Sequence, residues 1–491
     1  MKKIMYMLLT IILVSIAFQL TACKKNEPMS LNTKRDVRAI WITTVFNKDW
    51  PSTKNDTDAQ RQEFINILDD VTSLGFNTII VQVRPKGDAF YKSSLNPWSE
   101  YLTGVQGQDP GYDPLKFMIE EAHNRNLEIH AWLNPYRITI QENTENKLAQ
   151  NNFALAHPNL LIKHNNKFYY NPGLPEVRQH VVDTVKEIVQ NYDIDGIHFD
   201  DYFYPGKDID DTQAYELYGK GESLDDFRRD CVNQLVAEVN RSIKAIKPNV
   251  KFGISPAGVW KNKANDPTGS DTQGHETFYE IYCDTRVWIQ NGWVDYVVPQ
   301  LYWVIDQKSS SYSKLLGWWN NEIKGNKPQL YIGQGIYKND VAAEIEQQIV
   351  LNKSYKNVKG SVYFTYSDIK DNRQNVREKF KILYKNPAIP YAMPWLGDTP
   401  PNQPEVSITT NDTTQRKIII RNKSSETKYY LIYRFNKNEK PNFDDPAKII
   451  AKRRNSGSES EQYLDNSAGD YYYAVTALTR NHVESEPTIA L

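Results

Sequence analysis

Two carboxylates stand side by side at Asp200 and Asp201, in the block Asp195-Gly196-Ile197-His198-Phe199-Asp200-Asp201-Tyr202. Glycosidic hydrolysis usually needs two carboxyl groups: one protonates the leaving oxygen, the other acts as nucleophile or base. Neighbouring carboxylates resist ionising together, so one pKa of the pair should rise toward a useful acid value. If the block is a strand, alternation puts His198 and Asp200 on one face. Asp201 reaches the same space only if the strand has ended and the chain turns. Adjacent Asp residues also serve as turn or helix caps, which is the structural alternative. His130, His198 and Asp200 together suggest a second chemistry, a divalent metal site. The alternative there is a pair of buried, hydrogen-bonded histidines. No HxxxH or HxH spacing supports a metal, so neither metal nor cofactor is expected.

Such groups need a scaffold, and the chain supplies a repeating one. Short β-rich runs occur at Val37–Thr44, Thr78–Arg84, Glu128–Asn134, Gly196–Asp200, Lys251–Pro256, Tyr296–Tyr302, Gln329–Gly333 and Gly360–Thr365. Amphipathic stretches separate them. In the clearest, Pro175–Asn191, Pro175 suits a first helical turn, and Val177, Val181, Val185, Ile188 and Val189 share one face. Others are Gln60–Leu74, Pro114–Asn124, Leu224–Ile246, Thr277–Gln290, Val341–Leu351 and Asn375–Tyr384. The alternation predicts an α/β fold, a (β/α)8 TIM barrel over residues 35–390, with a doubly wound sheet as the rival.

In such a barrel the site lies at the C-terminal strand ends. Polar and aromatic residues gather at every one of those ends. Arg84, Asp88, Asn134, Tyr136, Arg137, His198, Tyr202, Gln300 and Tyr302 are the candidates for holding a sugar, with Trp132 and Trp303 as stacking platforms.

The ends of the chain give compartment and further domains. Lys2 and Lys3 precede an apolar run to Leu20, then Leu20-Thr21-Ala22-Cys23. This order reads as a lipoprotein signal peptide over residues 1–23, with Cys23 lipidated; an uncleaved anchor is the alternative. A lipid-anchored protein of the bacterial envelope is expected, with Lys24 arguing for the outer membrane. Cys231 and Cys283 read as buried small residues, a disulfide being second. With 59 basic against 60 acidic residues, no basic patch points to nucleic acid. Prolines 394, 400 and 401 mark a linker over 391–403. Residues 404–491 read as a small all-β sandwich. The run Tyr471–Leu478 before Glu484-Ser485-Glu486-Pro487 resembles a fibronectin type III module.

Longer blocks resemble the bacterial glycoside-hydrolase-like family 10. They are Arg38-Ala39-Ile40-Trp41, Gln82-Val83-Arg84-Pro85 with Gly87–Tyr91, Asp109–Leu115, His130–Arg137, Asp195–Pro205, Gly269–Thr272 and Val294–Tyr296 with Pro299–Trp303. The resemblance implies a (β/α)8 barrel and, for some members, cleavage of cell-wall glycan. The Asp195–Pro205 block is also similar to the chitinase signature DGxDxDxE. Here His198 replaces one Asp, and Tyr202 replaces the acidic Glu. An Asp-Asp pair is instead similar to substrate-assisted hexosaminidases, where one Asp orients the 2-acetamido group and the other is the acid. The expected activity is hydrolysis of an extracytoplasmic N-acetylhexosamine glycan, peptidoglycan first. The alternatives are a carbohydrate-binding lipoprotein without turnover, or a hydrolase of dietary or host polysaccharide.

Overall fold

The computed structural model describes residues 31–490, apart from 143, 398, 411–414, 422–423 and 468. Cys23 and the expected signal segment lie outside the described residues. Eight parallel strands close into a barrel: β1 Val37–Ile42, β2 Thr78–Arg84, β3 Glu128–Leu133, β4 Gly196–Phe199, β5 Lys251–Ile254, β6 Tyr296–Val297, β7 Gln329–Gln334 and β8 Val358–Tyr363. The strands follow chain order around the ring, and β8 pairs with β1. The helix Pro175–Asn191 forms where its valine stripe predicts, and the helix Leu224–Ile246 packs beside it.

Alternation divides the apolar residues into two cores. Outward residues such as Ile129, Ala131, Leu133, Ile197 and Phe199 pack under the helices. Inward residues Val37, Ala39, Trp41, Ile80, Trp132, Tyr296, Tyr331 and Val362 fill the lumen. Two glycines make room for its largest rings. A Cβ at Gly196 would lie 2.8 Å from the His130 ring, and one at Gly253 would lie 2.0 Å from the Tyr296 ring. Tyr296 cannot swing aside, because its hydroxyl is bonded to His130 Nδ1 at 2.7 Å and His198 Nδ1 at 3.1 Å. Gly253→Ala should therefore destabilise the fold by about 1–3 kcal/mol or more, as overpacked cores do. A urea midpoint equal to wild type would show that the lumen has slack.

Four elements differ from the sequence-based reading, one being Val341–Leu351, which breaks into the short helices Asn339–Ala343 and Ile345–Lys353. Strand β6 stops at Val297, because Pro299 has no N–H for the ladder. The stretch Thr277–Gln290 breaks into the short helices Thr277–Glu280 and Thr285–Gln290. An antiparallel hairpin, Leu161–His164 with Lys167–Tyr170, sits in the loop after β3. Its turn residues Asn165 and Asn166 have φ of 49° and 56°, the left-handed pair typical of tight hairpins. Cys231 and Cys283 are buried free thiols.

The C-terminal segment is a sandwich of two antiparallel sheets. One holds β9 Glu405–Thr410, β10 Arg416–Arg421 and β13 Ser460–Asp465. The other holds β11 Tyr429–Asn436, β12 Ile449–Arg454, β14 Tyr471–Leu478 and β15 Thr488–Ala490. It caps the N-terminal end of the barrel through the turn after β14. Arg480 reaches Asp193 at 2.5 Å and Asp195 at 2.8 Å, and His482 bonds Glu128 at 2.9 Å. Glu128 is also paired with Lys251. Although burial works against its charge, Lys251 and His482 hold Glu128 well below the usual carboxylate range.

Candidate active site

The opposite, C-terminal mouth of the barrel carries a cavity of about 320 Å³. Trp41, Thr43, Gln82, Trp132, Arg137, Asp200, Asp201, Tyr202, Ser255, Gln300, Tyr302, Tyr337 and Phe364 are among its walls. Both aspartates reach it because β4 ends at Phe199. The Tyr202 N–H then donates to Asp200 Oδ1 at 3.0 Å, turning the chain so that Asp201 also faces the cavity.

A relay of amides fixes Asp200, and each orientation forces the next. Gln82 Oε1 accepts from the backbone N–H groups of Thr44 at 3.1 Å and Val45 at 3.0 Å. Its Nε2 must then donate to Asn134 Oδ1, 2.8 Å away. Asn134 Nδ2 is left to donate to Asp200 Oδ2, which also accepts from Trp132 Nε1 at 3.2 Å. The Asp200 oxygens thus face three donors, and only 4% of the residue is exposed. Burial first, and the charge of Asp201 second, push its pKa up to about 7. Burial also raises the Asp201 carboxyl, with Gln300 opposing the shift. The two carboxyls are coupled and titrate as a pair. Near neutrality such a pair holds one proton to give and one negative charge to use.

Of the residues read from the sequence, Trp132, Arg137, Asp200, Asp201, Tyr202, Gln300 and Tyr302 share the cavity wall. The Arg137 guanidinium stacks 4.0 Å over the Tyr202 ring, which is 55% exposed. Asn134 lies just behind the wall as the donor to Asp200.

Five expected positions fall elsewhere. Arg84 is buried behind the wall, donating to Asn96 at 3.1 Å and to the Asn134 carbonyl at 2.7 Å. A register shift between Gln82 and Arg84 has moved it out of the lumen. Asp88 is buried against Gln106 and Lys86. Tyr136 is buried in the outer core. Trp303 packs on the outer core, one residue out of phase with Tyr302. His198 lies in the lumen below the cavity. Its Nε2 accepts from Trp41 Nε1 at 3.3 Å and faces Ser255 Oγ at 2.9 Å, while Nδ1 faces Tyr296. Burial, with His130 nearby, holds the His198 pKa well below its usual value, so the ring is neutral. His130 and His198 thus meet through the Tyr296 hydroxyl instead of opening toward a common ligand.

The sequence-based candidates do not include Trp41, Thr43, Gln82 or Ser255, which also line the wall. Alternation along β1 and β2 carries the signal, since Ala39, Trp41 and Thr43 share a parity, as do Ile80 and Gln82. Tyr337 and Phe364 lie in loops, where no such periodicity exists.

Residues 36–351 match the family described as glycosyl hydrolase-like 10. Glycosyl hydrolase YngK of Bacillus subtilis is 46% identical over 477 residues, covering 92% of each chain. Glycosyl hydrolase DigH of Escherichia coli is 37% identical over 400 residues, covering 72% of this chain and 91% of its own. The solved PgaB (BpsB) glycoside hydrolase domain from Bordetella bronchiseptica aligns with 71% of this chain and 99% of its own, at 9% identity and a TM-score of 0.49. From the family match and the extent of these two sequence relatives, the chain belongs to the glycosyl hydrolase-like 10 family.

Proposed function

We propose that the chain hydrolyses O-glycosidic bonds in an N-acetylhexosamine glycan outside the cytoplasm, the glycan strands of peptidoglycan first. The observation that carries this reading is the coupled Asp200–Asp201 pair at the barrel mouth, among Trp132, Tyr202 and Tyr302. The names of both sequence relatives, glycosyl hydrolases, support the reaction class. A lipid anchor on Cys23 would hold the enzyme at the bacterial envelope, and the C-terminal sandwich would be a fibronectin type III-like spacer.

Asp201 is the acid in this scheme. It faces the cavity, so it can reach a leaving oxygen; Gln300, its own backbone N–H, Arg137 and His275 act on its carboxyl, in that order. Asp200 is held by three donors and stays in place as the acceptor for the sugar's acetamido N–H. Asp201 gives its proton to the leaving oxygen as the acetamido oxygen attacks C1 and the glycosidic bond breaks. Water then opens the resulting oxazolinium at C1, and Asp201 takes the proton back. Trp132 and Tyr302 supply flat faces for the ring, and Gln300 and Arg137 supply donors for hydroxyls.

Purified protein should release new reducing ends from peptidoglycan strands stripped of peptides, and less from the same strands after de-N-acetylation. Equal release from both would rule out assistance by the acetamido group; release from neither, nor from chitin oligomers, would overturn the enzyme reading. Because burial raises the Asp201 carboxyl above the usual carboxylate range, kcat/KM should fall about tenfold per pH unit once pH passes that raised pKa. A profile flat to pH 9 would remove the Asp pair from the chemistry.

A further inference from the structure

The catalytic cavity is one chamber of a longer cleft. A second chamber of about 470 Å³ shares Val45, Arg137, Asp201 and Tyr202 with it. A third, of about 270 Å³, shares Phe46, Thr139 and Ile140 with the second. Phe46 therefore stands at the joint of the outer arm. Its ring is 57% exposed, far more than a phenylalanine would be if it served the core. Its backbone is also left-handed, with φ of 57°, and Asn47 follows at 54°. For a bulky residue this costs about 1–2 kcal/mol. The turn is held by the Asn47 amide, which donates to the carbonyls of Pro51 at 2.7 Å and Tyr101 at 2.8 Å. The fold thus spends conformational energy to hold an aromatic ring out in the cleft.

Beyond Phe46 the arm turns cationic. The third chamber is lined by Lys54, Lys86 and Lys147 against a single acid, Glu100. Lys86 is occupied by Glu100 and by Asp88, 3.6 Å away. Lys54 and Lys147 are exposed and form no ion pair among the described residues. The chain as a whole carries a net charge of −1, so this excess belongs to the place and not to the composition. An aromatic face followed by two exposed ammonium groups suits a sugar ring that bears a carboxylate.

We infer that the outer arm is a subsite for a carboxylate-bearing sugar unit some way along the polymer from the scissile bond, with its ring on Phe46 and its carboxylate between Lys54 and Lys147. The inference rests on the glycan-hydrolase reading for its ligand class, and it is tested by binding so that turnover does not enter. The full-length Asp201→Asn protein is titrated with three soluble oligomers. These are peptide-free peptidoglycan tetramers with free lactyl carboxylates, the same tetramers with those groups converted to methylamides, and N-acetylhexosamine–uronate tetramers.

Added Phe46→Ala, or Lys54→Gln with Lys147→Gln, should each weaken binding of the preferred acidic oligomer about five- to tenfold. Amidation should cost a similar factor, and it should cost nothing further once both lysines are Gln. Whichever acidic oligomer binds more tightly identifies the source of the carboxylate. Equal affinity for native and amidated tetramers, or losses from amidation and lysine removal that simply multiply, would overturn the subsite. That outcome is separate from failure of the enzyme reading, which shows as absence of cleavage by the wild type.

Discussion

Asp200→Asn and Asp201→Asn should each lower kcat/KM on peptide-free glycan strands by about 10²–10⁴-fold, the usual weight of a positioned proton-transfer group. That corresponds to about 3–5 kcal/mol of transition-state stabilisation. The two variants should differ in kind. Asn at 201 keeps the shape of the cavity and loses only the proton. An aryl glycoside whose leaving group departs without protonation should therefore recover much of the loss. Asn at 200 cannot be so rescued. One Asp200 oxygen accepts from the Tyr202 N–H, and the other accepts from Asn134 and Trp132. An amide placed there points its NH2 at a donor in either orientation, so it breaks the turn or the relay. The acceptor for the acetamido N–H loses its charge as well. Equal rescue of both variants by the aryl substrate would exchange or merge the roles assigned here.

Arg480→Ala should destabilise the protein by about 3–5 kcal/mol, the range found when one partner of a buried ion pair is removed. The weight falls on Asp195, which is buried; Asp193 is half exposed and its pairing is screened by solvent. Burial alone would raise the Asp195 pKa, yet Arg480 and then His123 hold it well below the usual range. Its folded-state pKa is thus depressed. The stability this confers is fully present above the unfolded-state value near 4 and is lost as pH falls through the folded one. The gap between wild type and variant should therefore be wide at pH 7 and should close in acid. Urea titrations at both pH values measure it. A gap independent of pH would mean that Arg480 acts through packing alone. Because this contact lies at the far end of the barrel from Asp200, kcat of the folded variant should stay at the wild-type value.

How far the sequence carries the fold can be followed residue by residue. The helix Pro175–Asn191 is legible because five valines and isoleucines keep one phase across it. The eight strands are legible because each run is apolar, short and followed by a helical pattern. The hairpin at Leu161–Tyr170 is not, since its polar residues resemble loop, although Asn165-Asn166 marks a left-handed turn.

The site divides along the same line. Where a strand is regular, parity places the side chain, as for Trp132 and His198. Parity fails at a bulge, which turns Arg84 out of the lumen, and past a strand end, where Asp88 and Tyr136 fold back into the core. Past the end of β6, Tyr302 enters the cavity wall while its neighbour Trp303 packs on the outer core. Polarity at a strand end therefore shows where to look but does not say which group faces the cavity. Phe46 is not legible for the opposite reason: its proposed role rests on a backbone conformation that its residue type disfavours.

The central claim is that the Asp200–Asp201 pair adds water across a glycosidic bond. Peptide-free glycan strands incubated in water enriched in heavy oxygen, with mass spectrometry of the fragments, test it most directly. The wild type should leave one solvent oxygen at each new reducing end, and either Asn variant should give at most about a hundredth of that yield under initial-rate conditions. Fragments ending in anhydro sugars without solvent oxygen, or wild-type yields from the variants, would contradict it.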